Sequence, residues 1–251
     1  MKLRVAAHVH SAWSYDGKWT LEQLARAFSK RGYDAVLMAE HDRTFDAARW
    51  LDYRDACAAA SQSGALLVPG IEYSDAENRV HVPVWGADRF LGANRPTIEL
   101  LRDAAGERGF SVIAHPGRRD AWTTLAPECF ALASAIETWN RKYDGWAPSA
   151  IALRLAEEHG LRRFAGLDFH TAKQFFPMAM EVQSPTASGD GIFEALRAGT
   201  FAPVVLRLPG DRFASGPGLA GARTAEFVRR RLARAVRQVR GRVKRSLHAS
   251  P

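Results

Sequence analysis

Histidines and carboxylates recur in this chain of 251 residues at positions where short apolar runs end. His8 and His10 lie two residues apart at the end of the first run, and Asp168 and His170 repeat that spacing after a late one. Because residues two apart on a strand point to the same face, each pair can contact the same ligand. The other members of the pattern are Asp16, His41, Glu72, His81 and His115. Imidazole and carboxylate groups together are typical ligands of Zn²⁺, Mn²⁺ or Fe²⁺.

The segments that must position these side chains are short apolar runs that alternate with longer amphipathic stretches. The apolar runs predict strands over 3–8, 35–39, 65–72, 80–85, 110–114, 135–139 and 164–167. The amphipathic stretches predict helices over 20–32, 45–63, 96–108, 148–160 and 192–198. This alternation favours an α/β fold with a mainly parallel sheet, closed or nearly closed into a barrel. An open doubly wound sheet is the alternative, although the chain lacks the GxGxxG fingerprint of dinucleotide-binding sheets.

The nine side chains would meet at one rim of such a barrel, where the carboxyl ends of parallel strands lie together. A catalytic zinc usually has three protein ligands and a water, so this set predicts two or three divalent ions (Mn, Zn or Fe) rather than one. Such clusters activate a water and suit the hydrolysis of phosphate esters. Taken alone, a buried histidine is more often a hydrogen-bonded core residue than a ligand. The strand-end position that the set shares is what favours metal binding.

The net charge of +8 is concentrated towards the C-terminal end. From Gly221 onward there are 10 basic residues and one acidic residue, Glu226, so the preceding part of the chain is close to neutral. A nucleic-acid-binding function for the whole chain is therefore not favoured. The two cysteines, Cys57 and Cys129, form no CxxC pair, and no apolar run approaches the roughly 20 residues of a membrane span. The first residues lack the apolar core of a signal peptide, so we expect a cytoplasmic protein.

The C-terminal region divides into a linker and a helix. Residues 1–210 are predicted to form a barrel domain, 211–222 a glycine-rich linker and 223–251 a basic helical tail. Apolar residues recur at helical spacing along one face of the tail: Val228, Leu232, Val236, Val239, Val243 and Leu247. The arginine-rich face could contact nucleic acid, an anionic membrane surface or a protein partner. Alternatively the helix packs on the barrel with its basic face in solvent, which is the interpretation we favour.

Six segments of the chain resemble the PHP (polymerase and histidinol phosphatase) domain family. They are AAHVHSAWSYDG, VLMAEHDRTF, VPGIEYSDAENRVHVPVWG, FSVIAHPGR, IETWN and FAGLDFH, in the family's order, and they span roughly residues 1–205. The resemblance implies a distorted (β/α)7 TIM-like barrel with a metal cluster at the strand ends. It also implies three sets of ligands: His8, His10, Glu72 and Asp168 for the first ion, Asp16, His41 and His170 for the second, and His81 and His115 for the third, with Glu72 bridging the first and third.

Candidate substrate-binding residues follow several strand ends. Arg118 is the first candidate for binding a substrate phosphate, because a guanidinium fork matches the phosphate oxygens; the alternative is a surface arginine beside Arg119. Asn140 could orient a water or a substrate oxygen, or it could satisfy the backbone of its loop. We interpret Glu40 as a residue that orients a ligand imidazole. The secondary candidates are Arg43, Lys142 and Lys173.

The leading hypothesis is a metal-dependent phosphoesterase with Asp168, His170 and Arg118 as catalytic residues. A hydroxide held between two ions would attack phosphorus in a phosphomonoester or small phosphodiester, while the ions and an arginine absorb charge. One alternative is a 3′–5′ exonuclease, as in PHP domains attached to DNA polymerases. A second is an amidohydrolase, since those barrels also begin with HxH, although Glu72 and His81 argue against it. A third is a non-catalytic barrel that binds a partner through its tail.

Overall fold

Strands and helices alternate along the chain in the computed structural model, which describes residues 1–248 and their side chains through Gln238. The strands are β1 (Lys2–Val9), β2 (Ala35–Met38), β3 (Glu40–His41), β4 (Leu66–Val68), β5 (Gly70–Ser74), β6 (His81–Trp85), β7 (Phe110–Ile113), β8 (Ala135–Asn140), β9 (Arg162–Gly166), β10 (Met178–Gln183), β11 (Phe201–Val205) and β12 (Leu208–Pro209). The helices are α1 (Leu21–Ser29), α2 (Ala47–Ser61), α3 (Thr97–Gly106), α4 (Pro127–Leu132), α5 (Ala150–Glu158), α6 (Gly189–Ala198) and α7 (Gly216–His248).

Local sequence signals set the ends of several helices, and α1 is the clearest case. The Thr20 hydroxyl accepts from the Gln23 amide, and the Gln23 side chain accepts from the Thr20 amide, which together form a capping box. Leu24 and Phe28, four residues apart, are fully buried on the inner face of this helix. Arg26, the charged residue between them, faces solvent, as the amphipathic pattern predicts.

The strands form two six-stranded sheets, with orders β12-β11-β10-β1-β2-β4 and β3-β5-β6-β7-β8-β9. Strands β1, β2 and β4 are parallel, as are β3 with β5 and β7 with β8 and β9. In contrast, β6 is antiparallel to both neighbours, and β10 is antiparallel to β1 and β11. The α/β class is therefore confirmed, but the expectation of a mainly parallel sheet is wrong.

The two sheets are connected at both sides. A single residue separates β2 from β3, and Pro69, which has no N–H for a ladder bond, separates β4 from β5. On the other side, the Leu167 amide donates to the Ala7 carbonyl (2.9 Å) and the His10 amide donates to the Phe169 carbonyl (2.9 Å). The chain that leaves β9 thus runs beside the end of β1.

The reversed strand β6 still places its histidine at the edge where the parallel strands end. His81 is the first residue of β6 rather than a residue near its end. Because β6 is antiparallel to β5, His81 pairs with Ser74 at the end of β5, two positions beyond Glu72. The reversal therefore brings His81 to the edge that carries the other predicted ligands.

Four elements have no counterpart among the predicted ones: β10, β11, β12 and α4. The β10 sequence, MAMEVQ, contains one alanine and one glutamate against a single valine, and alanine and glutamate are depleted in strands. Pro203 interrupts β11, and a proline within an apolar run lowers the strand signal. These strands form through pairing with β1 and with each other, which is a tertiary contact that local pattern does not report.

Helix α7 begins at Gly216, inside the segment predicted as a linker. Its first turns contact the rest of the protein through Ala222 and Glu226, which are buried. The division of the chain into a barrel domain, a linker and a tail stays a prediction. Across residues 1–248, no helix combines the length and the apolar character that crossing a membrane requires.

The apolar face of α7 does not pack against the rest of the protein where the structure describes it. Val228, Leu232 and Val236 are 48%, 62% and 50% exposed. The expectation that this face packs on the barrel is therefore wrong for these three positions. The remaining predicted positions of the face, and the end of the chain, lie outside the side chains that the structure describes: Val239, Val243, Leu247 and 249–251.

Candidate metal centre

The nine side chains singled out in the sequence lie in one connected group at the shared edge of the strands. Imidazole nitrogens and carboxylate oxygens of neighbouring members are 2.9 to 3.8 Å apart. Asp16 is the most exposed member, with 37% of its side chain accessible, whereas His8 and His10 are completely buried. This is the proximity that side chains need if they are to share metal ions.

Glu72, on β5, lies at the centre of the group. Burial alone would raise the pKa of its carboxyl, but the facing His81 and His8 rings hold that pKa well below its usual range. The residue is 1% exposed, so its charge is kept out of solvent. Its two oxygens lie within 3.6 Å of a ring nitrogen in each of five histidines: His8, His10, His41, His81 and His115. A single carboxylate that faces so many imidazoles is suited to bridging two cations.

Three overlapping subsets have donor atoms that all lie within 4.8 Å of one another. They are His10, His41 and His170; His8, Glu72 and His115; and His8, His10 and Asp168. His8 and His10 each belong to two subsets, whereas the family resemblance assigns each residue except Glu72 to one ion. His81 joins the group through Glu72 and through the His115 ring, whose centroid lies 5.0 Å away.

Three of the group have backbone angles that residues other than glycine rarely adopt. The φ angles are 61° at His8, 28° at His115 and 48° at Asp168. At His8 the pairing between β1 and β2 also shifts register, which identifies a β-bulge. The simple alternation of strand side chains therefore does not explain how His8 reaches the site. Such strained positions persist only where the surrounding structure enforces them, and they concentrate at functional sites.

Asp16, His41 and His170 form the solvent-facing side of the group. The Asp16 carboxylate lies 3.3 Å from His41 Nε2 and 3.1 Å from His170 Nε2. Burial lowers the pKa of His41, but the facing carboxylates of Asp16 and Glu72 outweigh this effect and raise that pKa to about 10. Burial raises the pKa of the Asp16 carboxyl, but His170 and His41 outweigh this effect and hold that pKa far below its ordinary range. Positive and negative groups here stabilise one another without any added ion.

Glu137, on β8, supports the group and was not identified in the sequence. Its Oε1 lies 3.0 Å from His8 Nδ1, while its Oε2 accepts from the His115 amide (3.0 Å) and the Asn140 side chain (2.8 Å). Gly166 makes room for it, because a Cβ there would lie 1.8 Å from Glu137 Oε1. Since a carboxylate bound to one ring nitrogen leaves the other free for a metal, Glu137 orients His8 in the way expected of a ligand.

Glu40 lies behind the group and is bound by two serines of the loop after β1. Its carboxylate accepts from the Ser11 amide and from the hydroxyls of Ser11 and Ser14, and it makes no hydrogen bond to an imidazole within the described residues. Ser14 Oγ in turn accepts from the His41 amide (2.9 Å). The interpretation of Glu40 as a residue that orients a ligand imidazole stays a prediction, and its link to His41 runs through Ser14. Glu40 also fixes the loop after β1.

Arg118 reaches the part of the group that contains His81. Its guanidinium donates to the Asn78 carbonyl (2.8 Å) and the Tyr143 hydroxyl (3.1 Å), and it lies 3.3 Å from His81 Nε2. The Asn78 side-chain oxygen also lies 2.7 Å from His81 Nε2. Arg118 is thus turned towards the cluster, unlike a free surface arginine. The sequence analysis did not identify Asn78, because nothing in the sequence distinguishes it from an ordinary turn residue. Its φ of 55° is indeed typical of an asparagine in a turn.

Lys142 and Asn140 contact Asp168 from the loop after β8. Lys142 Nζ lies 3.0 Å from Asp168 Oδ1 and 3.5 Å from His170 Nε2. The Asn140 amide nitrogen donates to Glu137 and Asp168, while its oxygen accepts from the backbone amides of residues 142 and 143. Of the two interpretations of Asn140, these contacts fit the one in which it satisfies its loop. Lys142 therefore places a positive charge directly against Asp168 and His170.

The remaining predicted substrate residues, Arg43 and Lys173, are exposed and form no hydrogen bond or ion pair within residues 1–248. Two tyrosines that the sequence did not single out lie against histidines of the group. The Tyr15 ring stacks on His41 with centroids 4.9 Å apart, and the Tyr143 ring lies 4.7 Å from that of His115. Tyr15 is 65% and Tyr143 37% exposed, so both present aromatic surface to solvent above the buried histidines.

The donor set fits divalent cations. Several buried nitrogen and oxygen atoms have no hydrogen-bond partner, namely His8 Nε2, both ring nitrogens of His10, His115 Nδ1 and Asp16 Oδ1. Native proteins rarely leave buried polar atoms unpaired, because each costs roughly 1 to 3 kcal/mol. Imidazole nitrogens and carboxylate oxygens are the ligands that Zn²⁺, Mn²⁺ and Fe²⁺ accept. Coordination would satisfy these atoms, which ordinary packing does not.

No protein-family model matches the chain, and no curated protein does so either. Solved structures do resemble it. One is a two-domain protein from Bacteroides vulgatus that contains a predicted PHP-like metal-dependent phosphoesterase, with 22% identity over 83% of this chain and 66% of that protein, and a TM-score of 0.62. The chain therefore spans slightly less than two thirds of that protein.

Two further structures resemble the chain at lower identity. PsfC from Pseudomonas syringae has 16% identity and a TM-score of 0.60, over 81% of this chain and 91% of PsfC. The lesion-specific endonuclease EndoQ from Pyrococcus furiosus has 13% identity and a TM-score of 0.56, over 82% of this chain and 59% of that enzyme. The resemblance to the PHP family that the six segments indicate is thus confirmed at the level of the fold.

Proposed function

We propose that the chain is a metal-dependent phosphoesterase that hydrolyses a phosphomonoester or a small phosphodiester. The observation that carries the proposal is the buried Glu72 carboxylate, with ring nitrogens of five histidines within 3.6 Å. A donor set of this size exceeds the need of one ion, so it supports a centre of two or three. Asp16 and Asp168 border the same group and bring the number of carboxylates to three.

The proposal includes the finer fold assignment, a distorted (β/α)7 barrel. Its support is a cyclic order of strands: β1 pairs with β2, whose continuation β3 pairs with β5, followed by β6, β7, β8 and β9. The residues after β9 then bond back to β1 through Leu167 and Phe169. A closed ring explains why side chains between residues 8 and 170 reach one site.

In the proposed centre, the ions would be held by His8, His10, Asp16, His41, Glu72, His81, His115, Asp168 and His170. Divalent ions in such a cluster make a water nucleophilic near neutral pH and neutralise charge on a phosphoryl group. The protein's own part is to hold these donors in place, with Glu137 orienting His8 and Ser14 fixing the backbone of His41. Burial of the donors keeps bulk water away from their inner side.

We assign substrate binding to Arg118 and Lys142. Both are cations at the opening, and each already contacts a member of the group: His81 for Arg118 and Asp168 for Lys142. A guanidinium can bind two phosphoryl oxygens at once, whereas an ammonium acts as a point charge. Arg43 and Lys173 are less suited, because each lacks a contact that would orient it among the described residues.

The test measures metal content and ester hydrolysis on the same samples of the full chain. Protein supplied with Mn²⁺ or Zn²⁺ is expected to retain two or three ions and to hydrolyse aryl phosphate monoesters or diesters. Glu72→Gln is expected to lower hydrolysis by about 100-fold and to lower metal content, because an amide cannot bridge cations. Glu77→Gln is the matched control, since Glu77 is an exposed glutamate close in sequence.

Two results would contradict the proposal. Full metal content with no hydrolysis of any ester would indicate a barrel that binds metal without this activity. Shortening of an end-labelled oligonucleotide without hydrolysis of small esters would replace the proposal with a nuclease.

A further inference from the structure

We propose that the exposed face of α7 binds the surface of a membrane that contains anionic lipids. We call the apolar residues Ala225, Val228, Leu232 and Val236 the stripe. In the sequence the stripe continues with Val239, Val243 and Leu247. The inference does not depend on the metal centre, and it concerns a surface that the proposed phosphoesterase activity leaves unexplained.

The stripe faces away from the rest of the protein. Ala222 and Glu226, four residues apart and therefore on one side of the helix, are the buried positions of α7 among its side chains through Gln238. Val228, Leu232 and Val236 are between 48% and 62% exposed. Within the described residues nothing covers these three aliphatic side chains. An aliphatic row of this kind on a soluble protein marks a surface that contacts something else.

The spacing of the stripe fits a flat surface. The four members and the three residues that continue them in the sequence are separated by 3, 4, 4, 3, 4 and 4 residues, which is a repeat of 11 residues over three turns. That repeat, about 3.67 residues per turn, is close to the 3.6 of an unstrained α-helix, so the stripe runs almost straight along the helix. With 33 residues, α7 is about 50 Å long. The row from Ala225 to Leu247 covers 22 residue steps, or about 33 Å, and a straight row of that length can lie in a planar interface.

The charge of the helix selects an anionic surface. Nine arginines and one lysine lie beyond Gly221, against the single acidic residue Glu226. Glu226 is already engaged, because Arg229 donates to both of its oxygens at 2.6 Å and Arg230 also donates to it. Among the side chains of α7 through Gln238, the other arginines form no ion pair: Arg223, Arg231, Arg234 and Arg237. A helix with an apolar stripe and arginines over the rest of its surface is the type that lies at the interface of anionic membranes.

Two other occupants fit these observations less well. A second copy of α7 that packed stripe against stripe would bring arginines from both helices together along the seam, where like charges repel. A nucleic acid would pair with the arginines, but its phosphate backbone offers nothing to Val228, Leu232 and Val236. Of the three occupants, an anionic lipid surface is the one that can both pair with the arginines and bury the three aliphatic side chains.

The test is flotation of the full chain with vesicles. We expect binding to phosphatidylcholine vesicles that contain about one third phosphatidylglycerol, and little binding to phosphatidylcholine alone. Binding is expected to weaken as salt is raised, because the Debye length shortens, but not to vanish. The residual binding would come from the stripe, whose insertion does not depend on salt.

A matched pair of variants separates the stripe from general hydrophobicity. Leu232→Gln is expected to reduce vesicle binding at least fivefold. Phe227→Gln is expected to change it less than twofold, because Phe227 lies about 140° around the helix from Leu232. The two side chains are equally accessible, 57% for Phe227 and 62% for Leu232, and neither is part of the folded core. Circular dichroism of both variants checks that the fold is kept.

Four results would overturn the proposal. Equal binding to neutral and anionic vesicles would show that the charge of α7 is not the basis of binding. Equal effects of the two variants would show that the stripe is not its basis. A stripe-dependent dimer in solution without lipid would assign the face to a second copy of the chain. Binding of duplex DNA that is tighter than vesicle binding and unaffected by Leu232→Gln would assign the arginines to nucleic acid.

Discussion

Arg118 had two interpretations in the sequence, and its contacts in the structure favour the one in which it binds a phosphate. The sequence could not distinguish a phosphate-binding arginine from a surface one, since Arg119 follows directly. In the structure its guanidinium is held by the Asn78 carbonyl and the Tyr143 hydroxyl beside His81. A side chain fixed in this way loses little further entropy when it binds an anion.

We predict that Arg118→Ala raises KM for a phosphate ester about tenfold, equivalent to about 1.4 kcal/mol of binding, and leaves metal content unchanged. Steady-state kinetics and metal analysis on the same preparation measure both quantities. Arg119→Ala serves as the control, because the Arg119 side chain makes no contact with the cluster among the described residues. Equal kinetic effects of the two variants would show that only the net charge matters.

The candidate ligands could be predicted at the residue scale because histidines are few and their positions at strand ends are unusual. Six of the eight histidines of the chain belong to the cluster, so a histidine at a strand end was a useful indicator of the site. Glu137 could not be predicted in the same way. Its motif, IETWN, was recognised, but a single carboxylate in an apolar strand gives no signal of which histidine it contacts. That contact depends on Gly166 of the next strand, whose missing side chain leaves room for it.

At the scale of elements, the sequence predicted the strands better than it predicted their directions. Periodicity located seven strand regions, but it contains no information on whether neighbours are parallel. β6 is therefore reversed without any local signal, and His81 reaches the site from the beginning of its strand. The bulge at His8 is similar, since it depends on how β1 pairs with β2. Both features arise from pairing between strands rather than from the segments themselves.

Helix α7 is attached to the loop that carries Lys142 and Tyr143. Glu226 accepts from the Trp146 amide (2.9 Å), and a Cβ at Gly145 would lie only 2.4 Å from Glu226 Oε2. Gly145 also has a φ of 77°, which favours glycine. Burial raises the pKa of Glu226, but the hydrogen bonds from two arginines outweigh this and lower the pKa to about 2. The contact thus joins the base of α7 to the edge of the candidate site.

We predict that Glu226→Gln lowers the free energy of unfolding by about 1 to 2 kcal/mol at pH 7. The carboxyl pKa is lower in the folded protein than in the unfolded chain. The stabilisation is therefore complete above the unfolded pKa near 4.5 and is lost as the pH falls towards 2. Urea unfolding of both proteins at pH 7 and pH 3 is expected to show a difference that shrinks by more than half. Glu194→Gln, at an exposed position on α6, is the control for loss of a surface charge.

A difference that stayed constant between the two pH values would mean that the carboxylate charge of Glu226 is not what anchors α7. Hydrogen exchange of the 141–148 segment gives an independent view of the same contact. The Trp146 amide is expected to exchange about tenfold faster in Glu226→Gln, since its acceptor is weakened. Faster exchange throughout the protein would instead indicate global destabilisation.

At the scale of the whole molecule, the buried, unpaired donors of the cluster lower the free energy of unfolding, and bound metal would offset this effect. His10 is completely buried, both of its ring nitrogens lack partners, and burial together with the neighbouring His41 and His170 lowers its pKa. The donors come from strands and loops between residues 8 and 170, so the unfolded chain cannot hold an ion with the same set. Binding therefore favours the folded state alone, which couples metal occupancy to global stability.

We predict that saturating Mn²⁺ or Zn²⁺ raises the Tm by roughly 10 °C over the same protein in excess chelator. An ion present at 100 to 1,000 times its Kd stabilises the folded state by about 3 to 4 kcal/mol, and each kcal/mol shifts the Tm of a chain of this size by about 2 to 4 °C.

His10→Gln is expected to lose most of this shift without lowering the Tm in chelator, because it removes an unpaired buried ring. His159→Gln is expected to keep the shift, since His159 stacks on Phe130 away from the cluster. If His10→Gln kept the full shift, or if both variants lost it equally, the nine donors would not be the metal centre. Differential scanning calorimetry with and without metal distinguishes these outcomes.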